Sequence, residues 1–288
     1  CPFHCNWCAK PIWGQRYAMR AAEAVADELA ALKRAHAPDH IWFADDIFGL
    51  RPDWTAAFGA AVAARDAAVP FTIQSRVDLI DDAAADGLAR AGCAEVWLGV
   101  ESGSQAVLDA MDKGIRVGDV EGAVARLRDR GIRVAFFLQL GYPGEDWDDI
   151  AATAALVRAT LPDAIGVSVS YPLPGTPFHR RVADQLAAEA HWRDSTDLAM
   201  LFAGTFTTPF YRALHAQLHR ELDARHAVRR AAEAADAAAA ALAAAELEAA
   251  MAGWTALAAA APAARHAAPT RLTPVAPSPP PDLSRPAG

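Results

Sequence analysis

Glu95-Val96-Trp97-Leu98-Gly99-Val100-Glu101-Ser102 is the stretch of this sequence that decides the fold. A mostly apolar run of this length is typical of a strand that is buried on both faces, and here an acid and a serine follow it directly. Four other runs have the same form, and a helical pattern separates each run from the next. Strands that alternate with helices in this way predict a parallel α/β sheet.

Every predicted strand is followed by polar or turn-forming residues. The predicted strands are 41–44, 70–74, 95–100, 133–138 and 165–170, and the predicted helices between them are 54–66, 81–91, 104–111, 117–130 and 146–159, with a further helix at 19–36 before the first strand. The carboxyl ends of parallel strands lie at one edge of a sheet, where α/β barrels and open α/β sheets build their sites. The sequence therefore predicts an α/β barrel, or part of one, with its active site on the C-terminal rim.

The amino-terminal end carries three of the four cysteines, in Cys1-Pro2-Phe3-His4-Cys5-Asn6-Trp7-Cys8. Such clustering does not suit a disulfide scaffold, but thiolates suit zinc or an iron–sulfur cluster. A structural zinc site closes with four ligands, which His4 would complete. Three thiolates on a four-iron cluster would instead leave one iron open to a non-protein ligand. A metal-free barrel with incidental cysteines is the third interpretation, and Cys93 is expected to be a small buried hydrophobe rather than a ligand.

Composition limits the classes of partner and location. The 288 residues have a formal net charge of −8, which argues against a nucleic-acid surface built on bulk charge. No apolar run has the length of about 18–20 residues that a membrane span needs, and the sequence has no pattern that predicts a signal peptide. Exposed clustered thiols suit a reducing compartment, so the sequence predicts a cytoplasmic protein without a membrane span.

Three segments follow from the changes in composition. Residues 1–185 are predicted to form the barrel and residues 186–260 a helical extension, since alanine-rich residues 210–260 favour helix. We expect this C-terminal helix to be solvated or loosely packed. Residues 261–288 are rich in Pro and Ala and are predicted to be disordered.

Four motifs carry a resemblance to a known family. The cysteine loop, Ala44-Asp45-Asp46-Ile47-Phe48-Gly49, Gly99-Val100-Glu101-Ser102-Gly103-Ser104-Gln105 and Gly141-Tyr142-Pro143-Gly144-Glu145 resemble, in this order, the core of radical S-adenosylmethionine (SAM) enzymes. The resemblance covers residues 1–185 and is closest to the cobalamin-dependent branch, which includes methyltransferases and the anaerobic porphyrin-ring cyclase. It implies a partial (β/α)6 barrel whose cluster loop follows the first strand. That strand and any cobalamin-binding domain are expected upstream of Cys1.

The resemblance also implies cofactors and the residues that bind them. Cys1, Cys5 and Cys8 would hold a [4Fe-4S] cluster beside SAM, with cobalamin bound by the upstream domain. The implied SAM-binding residues are Trp7 beside the cluster and adenine, Asp45 or Asp46 at the methionine amino group, Arg76 at the methionine carboxylate, Glu101 with Ser102 at the ribose, and the turn from Gln139 through Gly141 at the adenine. At the Asp45 and Asp46 position, relatives have a Gly-Gly-Glu motif whose glycines are missing here. Arg76 could instead form a salt bridge with Asp78.

The expected reaction is reductive cleavage of SAM to a 5′-deoxyadenosyl radical. This would lead to cobalamin-dependent methyl transfer or to radical modification of an unactivated carbon in a small-molecule substrate. An electron donor such as flavodoxin or ferredoxin is implied as a partner. A zinc-stabilised α/β binding module without catalysis is the alternative.

Overall fold

A computed structural model describes residues 1–9, 17–186, 197–270, 278 and 281. Its strands are β1 (Ile41–Trp42), β2 (Phe71–Ser75), β3 (Cys93–Glu101), β4 (Arg133–Leu140) and β5 (Ala164–Val169). Its α-helices are α1 (Ala22–His36), α2 (Pro52–Ala64), α3 (Asp82–Ala91), α4 (Gln105–Ala110), α5 (Gly118–Arg128), α6 (Trp147–Thr160), α7 (Pro177–Val182), α8 (Thr208–Glu233) and α9 (Ala237–Ala264).

The described residues form one sheet in which chain order and spatial order agree. The order is β1-β2-β3-β4-β5, and every neighbouring pair is parallel. A doubly wound sheet reverses its strand order at a switch point, whereas a barrel adds each strand beside the previous one. This sheet is therefore part of an α/β barrel, as predicted, with its core between the strands and the surrounding helices.

Local signals explain why the helices begin and end where they do. The Asp81 side chain accepts a hydrogen bond from the Ala84 amide at the start of α3, and Gly92 ends that helix at a φ of 92°. A capping box of Asp146 and Asp149 starts α6. Oxygen-bearing caps and a left-handed terminal glycine satisfy the free backbone groups at helix ends.

The C-terminal helices differ from the expectation. Instead of one loosely packed helix, α8 and α9 pack on each other and on the barrel, with a break at Ala234–Asp236. Leu214, Leu218 and Leu222 recur every four residues and are buried in the main core. Residues at this spacing share one face of a helix. The many alanines around them make this apolar face difficult to recognise in the sequence.

Polar contacts join these helices to the barrel. Glu221 on α8 accepts hydrogen bonds from Arg158 on α6, at 2.7 and 2.9 Å, and from Trp254 on α9. Burial alone would raise the pKa of Glu221, but the hydrogen bonds from Arg158 and Arg225 hold it below its ordinary value. Helix α9 continues through Pro262 to Ala264, so helix extends into the segment predicted to be a disordered tail. Residues 271–277, 279–280 and 282–288 of that segment lie outside the described residues.

No helix in the described ranges is long and apolar enough to cross a membrane.

Candidate active site

A cavity of about 470 Å³ opens at the carboxyl ends of the strands. The cysteine loop lines it from one side and four strands line it from the other, so the predicted location on the C-terminal rim agrees with the structure. The lining residues are Cys1, Phe3, Cys5, Trp7, Cys8, Asp46, Ile47, Gln74, Ser75, Arg76, Gly99, Glu101, Lys113, Phe137, Leu138, Gln139, Gly166, Val167 and Ser168.

Cys1, Cys5 and Cys8 belong to one small apolar cluster at the mouth of this cavity, in which Phe3, Cys5 and Leu79 are buried. All three cysteines line the cavity. In the described ranges, no group of three or more His, Cys, Asp or Glu side chains is already arranged around a single metal ion. By its chemistry, a donor set of three thiols suits an iron–sulfur cluster.

Asn6 fastens the cysteine loop to the barrel. Its amide donates to the Met111 carbonyl at 3.0 Å and its carboxamide nitrogen donates to the Ala110 carbonyl at 2.7 Å. The Tyr142 hydroxyl donates to the Asn6 side-chain oxygen at 2.8 Å, and burial raises the pKa of Tyr142 to about 12. A buried, neutral tyrosine at this position keeps its proton for the hydrogen bond, so the loop has a fixed place above the cavity.

Arg76 connects three segments beneath the loop. Its guanidinium binds Asp78 through two bonds of 2.9 and 3.0 Å, donates to the Lys113 carbonyl at 2.8 Å, and lies 3.6 Å above the centre of the Phe3 ring. A further nitrogen lies 3.8 Å from the Cys5 sulfur. The salt bridge with Asp78 that the sequence allowed is therefore present. Two of the guanidinium nitrogens are bound to Asp78. The contacts with Phe3 and Cys5 therefore give Arg76 a supporting role beneath the cysteine loop.

Glu101 and Lys113 form a buried ion pair at the cavity wall. The Lys113 amine lies 2.7 Å from a Glu101 carboxylate oxygen, and each side chain is only 7% exposed. The pairing of β3 with β4 shifts register between Gly99 and Glu101, and Glu101 has a φ of 63°. A bulge re-aims side chains, and left-handed backbone at a non-glycine residue is found preferentially at functional sites.

Gly99 makes room for this pair. A Cβ atom on Gly99 would lie 2.8 Å from the Lys113 amine and 3.1 Å from the Glu101 carboxylate. Any side chain here would push the lysine off its partner. The glycine in the Gly-Val-Glu-Ser-Gly motif therefore has a specific role, which is to open the slot in which Lys113 lies.

Two buried polar atoms at the cavity find no hydrogen-bond partner among the described residues. They are the indole nitrogen of Trp7 and the side-chain oxygen of Gln139. An unpaired buried polar atom costs free energy, so these two atoms favour a polar ligand in the cavity.

Three of the predicted cofactor-binding residues do not line the cavity. Asp45 lines a separate groove beside α1 and β1, whereas its neighbour Asp46 faces the cavity. The Ser102 hydroxyl lies 3.2 Å from the Thr153 hydroxyl on α6. The Gly141 amide donates to the buried carboxylate of Glu145, and a Cβ on Gly141 would meet Met200 and Tyr211. Ser102 and Gly141 therefore shape the loops around the site without facing its interior.

Cys93 lies at the opposite edge of the sheet from the cysteine loop. It begins β3, and the strand rises about 3.3 Å per residue towards Glu101 at the other end. Burial raises the pKa of the Cys93 thiol to about 12, so it stays protonated at neutral pH. Cys93 is therefore separated from the three cysteines of the loop by the length of β3.

Lys113 and Asn6 were missed in the sequence. Lys113 follows helix α4, away from any strand end, and only the fold brings it to Glu101. Asn6 lies inside the cysteine motif, where roles were predicted from the sequence for the thiols but none for Asn6. Its spacing gives no signal for the contacts with α4 and Tyr142.

Comparison with known proteins gives a consistent result. The family described as the Radical SAM superfamily matches residues 1–157. The chain is 26% identical over 200 residues to an uncharacterized methyltransferase of Pyrococcus horikoshii, covering 69% of this chain and 44% of the relative. It is 26% identical over 188 residues to the anaerobic magnesium-protoporphyrin IX monomethyl ester cyclase of Rubrivivax gelatinosus, covering 65% of this chain and 34% of the cyclase. The chain thus spans less than half the length of either relative.

Solved structures resemble the same region. The radical S-adenosylmethionine methyltransferase TsrM from Kitasatospora setae, with cobalamin and a [4Fe-4S] cluster bound, aligns with a TM-score of 0.59 and 25% identity. That alignment covers 64% of this chain and 38% of TsrM. The cobalamin-dependent S-adenosylmethionine radical enzyme OxsB aligns with a TM-score of 0.56 and 17% identity over 80% of this chain and 41% of OxsB. At that identity the second likeness concerns the fold alone.

Proposed function

Because this chain belongs to the radical SAM superfamily, we propose that the rim cavity binds a [4Fe-4S] cluster and SAM and performs radical chemistry on a small molecule. The observation that carries this proposal is the meeting of three thiols and a buried Glu101–Lys113 pair around one cavity. A four-iron cluster bound there would offer one iron to the amino and carboxylate groups of SAM and the electron that cleaves its sulfonium bond to give a 5′-deoxyadenosyl radical.

Different side chains are proposed to bind the cluster and SAM. Cys1, Cys5 and Cys8 hold the cluster, and Arg76 keeps the Cys5 segment in place through Phe3 and the Lys113 carbonyl. Glu101 binds the ribose hydroxyls of SAM as a carboxylate acceptor. Lys113 orients that carboxylate through its contact of 2.7 Å, since a buried charge needs a partner.

Trp7 and Asp46 complete the proposed SAM pocket. The indole nitrogen of Trp7 is an unpaired polar atom among the described residues that bound SAM would satisfy. Asp46 rather than Asp45 faces the cavity, so Asp46 is the candidate for the methionine amino group.

The reaction is assigned to cobalamin-dependent methyl transfer or a related modification of an unactivated carbon. Supporting this, one solved neighbour is a methyltransferase with cobalamin bound, and a curated relative is a ring cyclase. Cobalamin would be held by a domain outside this chain. An electron donor such as flavodoxin or ferredoxin and a reducing compartment such as the cytoplasm fit these clustered thiols, of which Cys5 is buried and Cys1 and Cys8 are half-buried.

The test is anaerobic reconstitution of the purified protein with iron and sulfide, followed by measurement of acid-labile sulfide and 5′-deoxyadenosine. We expect Cys5→Ala to abolish both, since two thiolates remain. Cys93→Ala is the matched control and should retain both, because Cys93 lies at the far end of β3. Bound zinc without acid-labile sulfide would overturn the proposal and favour the zinc-stabilised binding module. Wild-type cleavage of SAM by Cys5→Ala would remove Cys5 from the ligand set.

A further inference from the structure

One row of residues across the sheet leaves a flat surface inside the cavity. In the sheet register Phe137 on β4 lies directly between Gly99 on β3 and Gly166 on β5. Neither glycine covers the Phe137 ring, which is only partly buried. Phe137 and both glycines line the same cavity as the cysteines.

Trp97 packs beside the Phe137 ring without lining the cavity itself. Its ring lies 4.8 Å from the Phe137 ring, centroid to centroid, with an angle of 32° between the planes. A Cβ atom on Gly166 would lie 3.2 Å from the Trp97 ring and 3.4 Å from the Phe137 ring. Gly166 therefore leaves the Phe137 ring uncovered from the β5 side. We call Phe137 and Gly166 the aromatic floor.

A polar atom stands beside the floor. Gln139 follows Phe137 on the same face of β4, because side chains two residues apart point the same way. Its side-chain oxygen is buried and finds no hydrogen-bond partner in the described part of the chain. An acceptor in this condition favours a ligand that carries an N–H or O–H donor.

From this geometry we infer that the aromatic floor is the substrate subsite and that the substrate is a flat aromatic ring with a hydrogen-bond donor. The inference rests on the proposed function, since it takes the cavity to be the site of reaction. Aromatic rings stack on flat rings, and a puckered ring loses that contact. The Glu101–Lys113 pair lies beside Gly99 on β3, at one end of this row, whereas Gly166 on β5 is at the other end. The part of the floor formed by Phe137 and Gly166 is therefore directed away from the ion pair.

The volume of the cavity further limits the class of substrate that can bind. Small-molecule pockets range over roughly 300–1,000 Å³, and this cavity of about 470 Å³ lies in the lower half of that range. Because the same cavity must also accommodate SAM, the space left for a substrate is smaller still. This favours a small ring system of one or two rings.

The test compares two probes of the same skeleton, 2-naphthol and its saturated, puckered analogue decahydro-2-naphthol. Both carry one hydroxyl that can donate to Gln139. They differ in flatness and in the stronger donation of the phenolic hydroxyl, and the variants of Phe137 and Gly166 separate these two differences. Calorimetry on the intact protein should show 2-naphthol binding roughly 3- to 10-fold more tightly, the ratio expected for one stacked ring contact. Equal affinity of the two probes for the wild-type protein, or no binding of either, would overturn the inference.

Two variants locate the effect. Phe137→Leu keeps an apolar side chain but removes the flat face, and should bring the affinity ratio close to one. Gly166→Val covers the Phe137 ring and should weaken both probes at least 10-fold, which keeps the test valid if Phe137→Leu does not fold. Leu242→Ala, at an exposed position on α9, is the control and should leave the ratio unchanged. A preserved ratio in Phe137→Leu would contradict the inference.

A second arm separates the substrate from the adenine of SAM, which is also a flat ring with donors. The titration with 2-naphthol is repeated in saturating SAM. If the floor is the substrate subsite, the affinity is unchanged or improved. If SAM displaces 2-naphthol competitively, the floor belongs to the adenine and the inference fails. Neither result depends on SAM cleavage, so a failure of the proposed function would be visible separately as absent 5′-deoxyadenosine.

Discussion

At the scale of single residues, the site depends on the buried Glu101–Lys113 pair, of which only Glu101 could be predicted from the sequence. Glu101 could be predicted, because an acid directly after a buried strand needs a partner. Lys113 could not, because its contact crosses 12 positions and depends on how α4 folds back over β3. The sequence shows Gly99 as part of a motif. Only the structure shows why a glycine is needed there, which is to leave space for the Lys113 amine.

The pair predicts a pattern of stability that a simple loss of packing would not give. Lys113→Met leaves the buried Glu101 carboxylate unpaired, and such a break costs about 3–5 kcal/mol of unfolding free energy. The double variant Glu101→Gln with Lys113→Met should recover most of that loss, since no buried charge remains. Urea denaturation measures both. SAM affinity should stay low in the double variant. If the double variant is as unstable as Lys113→Met, the ion pair is not the cause.

Glu145 makes stability depend on pH. Its carboxyl is fully buried, and desolvation raises its pKa to about 8, with the nearby Asp149 and Asp146 adding to the rise. The folded state therefore holds this proton more tightly than the unfolded chain does. The contribution to stability is complete below pH 4.5 and is lost as the pH rises through about 8.

We expect the unfolding free energy of the wild type to fall between pH 5 and pH 8 by up to about 1.4 kcal/mol per pH unit from this group. Glu145→Gln can still accept the Gly141 amide and should remove that part of the slope. Denaturation curves at pH 5, 6, 7 and 8 check this. An identical slope in the two proteins would show that Glu145 does not titrate in this range.

At the scale of elements, the alternation of strand and helix was readable and the packing of the C-terminal helices was not. The apolar strands with capped helices between them gave β1 to β5 in the right order. The packing of helix α8 against the barrel was not predicted, because the alanines around it indicate helix propensity but give no sign of a buried face. Its contacts with α6 and α9 pass through Glu221, an acid that a sequence alone would place on the surface.

Glu221→Gln tests how firmly these helices are joined. The variant keeps the size of the side chain but loses charge-assisted bonds to Arg158 and Arg225, each worth roughly 1.5–3 kcal/mol. Because the pKa of Glu221 is lowered in the folded state, its contribution is present above the unfolded pKa and is lost as the pH falls. Denaturation should therefore separate wild type from variant at pH 7, and the difference should shrink as the pH falls into the acidic range. A difference that stays constant down to the lowest pH at which the wild type is folded would contradict this assignment.

At the scale of the whole molecule, the barrel edge and the cysteine loop meet to form one cavity. The sequence placed the thiols and the strand-end polar residues in one region, since carboxyl ends of parallel strands share an edge. It could not separate residues that face the cavity from those that brace it. Asp46 and Asp45 are adjacent in the chain but face different spaces, and Ser102 next to Glu101 turns to α6. For Glu101, the direction of the side chain depends on the register shift after Gly99, which composition and spacing do not report.

The central claim is that one cavity brings SAM against a cluster held by Cys1, Cys5 and Cys8. The most direct measurement is the electron paramagnetic resonance spectrum of the reconstituted, reduced protein with and without SAM. The account predicts a cluster signal that shifts on addition of SAM and is absent in Cys5→Ala. A cluster signal that SAM leaves unchanged would contradict it.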